Sequence, residues 1–212
     1  MAINLTKGQT INLNKDEHDL SSMTIGLGWR IAGKKKGFLG GLFGRSKQDN
    51  LDLDAVAFLL DKNDKVTTLG NDKLVGGDIV FFNSLRHHTG TVYHSGDNRV
   101  GGSGAQDDEQ IVVELNSIKE PYHKILFMVC IYQGQEKGQH FGMVESAYIR
   151  AVDAKGKEIA RYELNADPSY AGRCTMVFGE VYRKDSSWKF RAIGDAHPFD
   201  SFASLLRQHI PT

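Results

Sequence analysis

Short segments of β-branched and aromatic residues, separated by Gly, Asn and Asp, dominate this sequence. Such segments are typical of β-strands, and the polar positions between them favour turns. The pattern predicts strands at residues 10–13, 23–29, 55–60, 65–68, 79–83, 91–95, 110–115, 124–133, 145–152, 158–164, 174–183 and 188–193. Many short strands with little helix predict an all-β fold, namely a β-sandwich of two antiparallel sheets.

The one clear helical pattern lies at residues 199–210, where apolar residues recur at helical spacing and Asp200 or Ser201 can cap the helix. We therefore expect a short C-terminal helix, and a further helical turn is possible near residues 139–143. No Pro- or Ser-rich linker and no internal repeat interrupts the chain, which predicts a single domain over residues 1–212. Residues 32–48 are rich in Gly and Lys, so we expect them to form a surface insertion.

Charge and hydropathy narrow the possible partners. Lys plus Arg and Asp plus Glu both number 26, so the chain has no net charge and we expect no binding to nucleic acid. The first residues lack an apolar stretch long enough for a signal peptide, and no segment approaches about 18 apolar residues. The expected location is therefore the cytoplasm. Cys130 and Cys174 lie in apolar segments and are predicted to be buried and unpaired.

Residues 94–109 form an acidic, glycine-rich segment between two predicted strands. Carboxylates this close repel each other unless a cation neutralises them. Calcium suits such a segment because it accepts about six to eight oxygens at flexible angles, whereas magnesium demands a rigid octahedron. An extended chain would place Asp52 and Asp54 on one side, where they could join the site. The alternative is a solvated acidic loop with ordinary turns, and the spacing does not match an EF-hand.

Several short motifs, in their order and spacing, resemble the TerD family of bacterial tellurium-resistance and stress-response proteins. The resemblance covers nearly the whole chain. The matching pieces are Gly26-Leu27-Gly28-Trp29, Asp52-Leu53-Asp54-Ala55, His94-Ser95-Gly96-Asp97-Asn98, Asp107-Asp108-Glu109, Phe141-Gly142, Ala147-Tyr148-Ile149-Arg150, Arg161-Tyr162-Glu163-Leu164, Gly179-Glu180-Val181-Tyr182-Arg183 and Trp188-Lys189-Phe190-Arg191-Ala192. Within the family, the insertion is most similar to the TerX and TerZ types.

The resemblance implies a β-sandwich that binds calcium between loops at one end. It implies side-chain oxygen ligands from seven residues and backbone carbonyl ligands from two, which are Asp52, Asp54, Asp97, Asn98, Asp107, Asp108 and Glu109, and Gly28 and Trp29. Two departures from the family pattern bear on this site. Arg30 stands where the family commonly has Asp, and residues 101–106 lack the two acids usual there. Where a family member holds two neighbouring calcium ions, we therefore expect this chain to hold only one, or to hold the second weakly.

Three functional hypotheses follow. The leading one is a non-enzymatic binding or scaffold module, ordered by calcium, that engages other proteins of a stress-response assembly. The insertion mixes Lys with Phe and Leu, so it could also dock on an anionic membrane or a partner. The alternatives are a metal-dependent hydrolase that uses the same acidic residues, and a structural protein in which calcium only fastens loops. We expect no metal site at His87 and His88, because neighbours on an extended strand face opposite ways.

Overall fold

The structure is a computed structural model that describes residues 2–31, 51–95, 107–165, 167–185 and 187–211. The strands within these residues are β1 Ile3–Leu5, β2 Thr10–Leu13, β3 Met23–Ile31, β4 Leu53–Leu60, β5 Ile79–Val80, β6 Val92–His94, β7 Glu109–Val113, β8 Lys124–Ile131, β9 Val144–Val152, β10 Glu158–Asn165, β11 Thr175–Lys184 and β12 Ser187–His197. Two α-helices accompany them, α1 Gly134–Lys137 and α2 Ala203–His209, with short 3₁₀ turns at Leu115–Ser117, Phe141–Met143 and Pro168–Tyr170.

The strands form two six-stranded sheets that pack as a sandwich. The first sheet has the order β1-β10-β9-β3-β7-β6 and the second the order β2-β12-β11-β8-β4-β5. The predicted β-sandwich with a short C-terminal helix is therefore confirmed. One pairing differs from the antiparallel expectation: β1 runs parallel to β10. The first sheet is mixed at that edge for this reason.

Alternation along the strands builds the core between the sheets. In β7, Glu109, Ile111 and Val113 are buried, whereas Gln110 and Val112 are half-buried on the outer side. Apolar residues at such inner positions join one large core cluster, which spans both sheets. Glu109 is thus a carboxylate at an inward-facing position, an unusual location that requires compensating polar partners.

Strand β4 is buried on both faces along its whole length. Ala55, Ala57 and Leu59 belong to the core between the sheets, while Val56 and Phe58 belong to a second cluster on the outer face. Helix α2 contributes Leu205 and Leu206 to that second cluster, and the Phe202 ring packs edge-on against Phe58. The helix thus covers the outer face of β4, which explains why the apolar sequence of this strand does not alternate.

Two details of the secondary structure differ from the prediction. Residues 65–68 form no strand, because the backbone N–H groups of Thr67 and Thr68 donate to the Asp78 carboxylate and that of Val66 to the His209 carbonyl. Strand β1 carried no clear sequence pattern and was not predicted. The predicted insertion at residues 32–48 lies outside the described residues. Within the described chain, no helix has the length and apolar character needed to cross a membrane.

Candidate metal centre

Glu109 joins the two sheets at one end of the sandwich. Its side chain lies in the first sheet's strand β7, only 2% of the residue is exposed, and one carboxylate oxygen accepts the backbone N–H of Ala55 in β4 of the second sheet. The same oxygen lies 3.3 Å from Nε2 of His94. A buried carboxylate needs such donors because leaving water is costly for its charge.

Asp108, the preceding residue, connects this point to strand β3. One carboxylate oxygen accepts the backbone N–H of Trp29 at 2.9 Å, and the Asp108 backbone N–H donates to the Leu27 carbonyl at 2.8 Å. Asp108 is 8% exposed and Asp54, in β4, is 9% exposed. The ends of β3 and β7 thus bring the buried carboxylates of Asp108 and Glu109 to one end of the sandwich, which we call the acidic end. Asp54 lies at the same end of β4, but it alternates with the inward-facing Ala55 and is paired with Cys130 of β8.

The remaining predicted ligands divide into three groups. The backbone carbonyl of Asp52 accepts the N–H of Tyr132 at 2.8 Å, so Asp52 directly extends the β4–β8 pairing. Gly28 and Trp29 lie in β3, opposite Tyr148 and Ala147 of β9. Asp97 and Asn98 lie outside the described residues.

Asp107 does not join the acidic end. Its carboxylate lies on the outer face of the first sheet, where both oxygens contact the Arg150 guanidinium at 2.7 and 3.0 Å. The Tyr148 hydroxyl and the Gln110 amide each donate to it at 3.0 Å. A Cβ at position 26 would lie 2.1 Å from this carboxylate, so only glycine fits beneath it. The Asp107 charge is thus already neutralised by a cation within the chain.

The Asp107 ion pair extends into a larger charged network. Glu158 accepts from both Arg150 and Arg161, and the Arg161 guanidinium lies 4.3 Å from the Tyr148 ring centroid. Hydrogen bonds that the Arg150 guanidinium donates to Asp107 are the main reason that the pKa of Arg150 is raised, against the opposing effect of burial. Sequence reasoning grouped Asp107 with its acidic neighbours, because its partners lie about 40 residues away in the chain.

Arg30, the departure from the family pattern, is exposed at the acidic end. It lines a surface cleft of about 230 Å³ together with Trp29, Asp108, Tyr148 and Arg161. The positive charge of Arg30 near Asp108 lowers the local attraction for a cation, since like charges repel. This placement is the physical basis for expecting fewer or weaker calcium sites.

A second polar cluster forms at the opposite end of β4, and sequence reasoning missed it. Nε2 of His87 lies 3.1 Å from Oδ1 of Asp78, and Nε2 of His88 lies 3.4 Å from the same oxygen. The Tyr122 hydroxyl donates to that oxygen at 2.6 Å. We call Asp78, His87, His88 and Tyr122 the histidine end. Among the described residues, Asp78, His87 and His88 are the one group of three His, Cys, Asp or Glu residues whose ligand atoms lie within 4.8 Å of each other.

The reasoning against a histidine site fails because residues 87–90 form a turn rather than an extended strand. The Gly90 N–H donates to the His87 carbonyl at 2.8 Å, and Gly90 has a positive φ of 78°. In a turn, neighbouring side chains can point the same way, and the two imidazole centroids are only 4.2 Å apart. The Thr-Gly pair after the histidines is a turn signal that could have indicated this.

Hydrogen bonding controls protonation at the histidine end. Burial alone would raise the pKa of Asp78, but hydrogen bonds from His87, Tyr122 and Thr67 outweigh it and hold that pKa well below its usual range. Burial, together with the hydrogen bond to Asp78, raises the pKa of Tyr122 far above its ordinary value. Asp78 is therefore a carboxylate at neutral pH, and Tyr122 remains a neutral donor.

The fold and these residues define a TerD-type β-sandwich, and comparison with known proteins agrees. The family model described as "TerD domain" matches residues 1–209. The chain therefore belongs to the TerD family.

Individual relatives extend this assignment. The chain is 52% identical to tellurium resistance protein TerX of Serratia marcescens, across 99% of this chain and 100% of that protein. It is 39% identical to stress response protein SCP2 of Bacillus subtilis (strain 168), across 99% and 100%. Among solved structures, the homologue of telluride resistance protein (TerD) from Streptomyces coelicolor A3(2) superposes with a TM-score of 0.61 at 17% identity, covering 90% of this chain and 99% of that one. That structure supports the fold.

Proposed function

We propose that the chain is a calcium-binding module of a tellurium-resistance and stress-response system, and that it acts as a scaffold in the cytoplasm rather than as an enzyme. The observation that carries the proposal is the burial of three carboxylates, those of Asp54, Asp108 and Glu109, at the end of the sandwich where β3, β4 and β7 meet. Carboxylates held in the interior at one end of a fold attract a cation, and hard oxygen ligands favour calcium.

The residues fit calcium by their chemistry. Asp54 and Asp108 offer carboxylate oxygens, and Glu109 offers the oxygen that does not accept from Ala55. Asp52, Asp97 and Asn98 are the further candidates, with backbone carbonyls of Gly28 and Trp29. Calcium would supply positive charge that offsets the repulsion among these groups, and the protein residues would hold the segments around it in one arrangement. Asp107 is omitted from the set, since Arg150 already neutralises it.

A scaffold role follows from what such ordering would do. Loops arranged around a metal at one end of a rigid sandwich form a defined surface that another protein can recognise. The names of the two relatives refer to tellurium resistance and to stress response, which are phenotypes rather than reactions. The proposal therefore names protein partners of the same stress system and no substrate.

Calcium titration of chelator-treated protein tests the proposal directly. We expect heat in a calorimetric titration, and a stabilisation of about 3 kcal/mol at a hundredfold excess of calcium over its dissociation constant. For a chain of this size, that corresponds to a rise of roughly 6–12 °C in Tm. Arg30 and the uncharged segment at residues 101–106 lead us to expect fewer than two strong sites.

The matched variants are Asp108→Asn and Asp72→Asn. The first keeps an oxygen that can accept from Trp29 but removes a buried charge, and the second changes an exposed turn residue. Asp108→Asn should abolish most of the calcium-dependent rise in Tm, and Asp72→Asn should leave it intact. No binding heat and no change in Tm on adding calcium to the unmodified protein would contradict the proposal.

A further inference from the structure

We propose that Asp78, His87 and His88 form a second metal site, which binds zinc or a similar borderline divalent cation and is separate from the acidic end. The site would use two imidazole nitrogens and one carboxylate oxygen. Nitrogen ligands of this type favour zinc over calcium, which takes oxygen ligands. The inference does not depend on calcium binding at the other end.

The distances between the ligand atoms suit a small tetrahedral ion. Zinc binds nitrogen and carboxylate oxygen at about 2.0–2.2 Å, which places neighbouring ligand atoms of a tetrahedron about 3.3–3.5 Å apart. Asp78 Oδ1 lies 3.1 Å from Nε2 of His87 and 3.4 Å from Nε2 of His88. These two separations lie within a few tenths of an ångström of the tetrahedral values, and the ligand atoms of the three residues all lie within 4.8 Å of one another, so side-chain adjustments would let an ion enter between them.

Surrounding groups hold two of the three ligands in place. Asp78 Oδ2 accepts the backbone N–H groups of Thr67 and Thr68 and the Thr67 hydroxyl, which leaves Oδ1 facing the histidines. Nδ1 of His87 lies 2.7 Å from the Thr89 hydroxyl, which lies 2.8 Å from that of Thr91. Outer hydrogen bonds of this kind fix the orientation of ligands in metal sites.

Metal binding requires the proton of the His87 ring to move from one ring nitrogen to the other. In the metal-free arrangement Thr89 N–H donates to Nδ1 of His87 at 3.3 Å, so a neutral His87 carries its proton on Nε2, which donates to Asp78. For Nε2 to bind a metal, the proton moves to Nδ1 and is donated to the Thr89 hydroxyl oxygen. No net proton is released from a neutral His87, and the charge of the ion is partly offset by the Asp78 carboxylate.

The site also has an entry path and a free coordination position. The His88 side chain is 42% exposed, although Asp78 and His87 are buried. Tyr122 and Thr89 line a cleft of about 630 Å³ beside the cluster. The Tyr122 hydroxyl lies 3.0 Å from Nε2 of His88 and would turn away from it when the metal binds. Water from the cleft can then occupy the fourth position, as in zinc sites with three protein ligands.

The competing interpretation is a buried carboxylate satisfied by hydrogen bonds alone. The Thr67, Thr68, His87 and Tyr122 donors already satisfy Asp78 without His88. Asp78 therefore does not require the half-exposed His88 ring, whose Nε2 also lies 3.0 Å from the Tyr122 hydroxyl, and a metal would give that nitrogen a further role. The two interpretations differ in what His88 does, so His88 is the residue to change.

Cobalt(II) is a suitable probe because tetrahedral cobalt sites absorb visible light. Metal-free full-length protein is titrated with cobalt, and zinc is then added as a competitor. We expect one equivalent to produce tetrahedral bands, zinc to remove them, and a large excess of calcium to leave them unchanged. His88→Ala should weaken cobalt and zinc binding by roughly tenfold or more, since ligands matter at least as much as their outer partners.

His123→Ala is the matched control, because Nε2 of His123 lies 2.8 Å from Glu120 yet neither residue belongs to the cluster. It should bind cobalt as the unmodified protein does, and so should Asp108→Asn, which removes only an acidic-end charge. The Tm of His88→Ala without metal confirms that the variant is folded, and His88→Gln is the substitute if it is not. Absence of tetrahedral bands at one equivalent, or unchanged zinc affinity in folded His88 variants, would overturn the proposal.

Discussion

The acidic end and the histidine end both bury carboxylates near strand β4, but different groups stabilise the carboxylates at the two ends. At the acidic end, Asp108 and Glu109 accept backbone N–H groups from Trp29 and Ala55. At the histidine end, Asp78 is surrounded by two imidazoles and a phenol. Asp54 and Leu59, the latter bonded to the Asp78 carbonyl, are five residues apart in an extended strand, or about 17 Å. One strand thus supports an oxygen-rich site and a nitrogen-rich site.

Neutral hydrogen-bond donors and a cation are therefore alternative ways to stabilise a buried carboxylate. A carboxylate with enough hydrogen bonds keeps its charge without a metal, as the pKa of Asp78 indicates. Asp107 represents a third solution, because a protein guanidinium takes the place of the ion. The three environments predict three different responses to the removal of one carboxylate.

The largest effect is expected at the histidine end. Asp78→Ala leaves donors from Thr67, Thr68, His87 and Tyr122 without their acceptor in a buried place. We expect a loss of about 3–5 kcal/mol in the free energy of unfolding, measured by urea denaturation without metal. A loss below about 1 kcal/mol would show that the network contributes little and that the two ends do not differ in this way.

A second comparison separates Asp107 from Asp108. Asp107→Asn weakens the ion pair with Arg150, which is partly exposed, so we expect a loss of about 2 kcal/mol both with and without calcium. Asp108→Asn should instead remove the calcium-dependent stabilisation of about 3 kcal/mol. Thermal melts of both variants, with calcium and with chelator, distinguish them. If Asp107→Asn lowered Tm more with calcium than with chelator, Asp107 would be a calcium ligand after all.

The pH dependence of unfolding gives a smaller effect. The pKa of Asp78 is lower in the folded chain than in the unfolded chain, so its stabilisation is complete above about pH 5. As the pH falls further, the unfolded chain takes up a proton that the folded chain does not, and up to about 1.4 kcal/mol is lost per pH unit. The stability advantage of the unmodified protein over Asp78→Asn should therefore shrink between pH 5 and pH 3. A constant difference would contradict this.

The smallest effect is expected for the segment between strands β3 and β4. Replacing residues 34–47 by a short glycine linker should change Tm by only a few degrees, because the entropy of loop closure depends weakly on length. The glycines and lysines of this segment offer little to a core. Melts with calcium and with chelator test both folding and binding, and a large fall in Tm would place Phe38, Leu42 or Phe43 in the core.

Most strands could be predicted because each contains its own signal, as the apolar segment Leu53–Leu60 illustrates. The wrong predictions share a cause, because contacts with residues elsewhere in the chain determine the structure at those positions. Residues 65–68 donate to Asp78 instead of to a strand, and the Asp107 carboxylate faces Arg150. Tyr122 is 44 residues away from Asp78 in the chain, yet its hydroxyl donates to the Asp78 carboxylate at the histidine end. No local sequence pattern predicts this contact.

The burial of β4 on both faces has a consequence for the order of events during synthesis. Its outer residues, such as Val56 and Phe58, are covered by helix α2, which is the last described element to leave the ribosome. Until helix α2 packs there, the nascent chain exposes this apolar surface of β4. On one of its sides, β4 has only the two-residue strand β5 as a neighbour. Such a surface is prone to aggregation, so helix α2 protects strand β4 once it packs there.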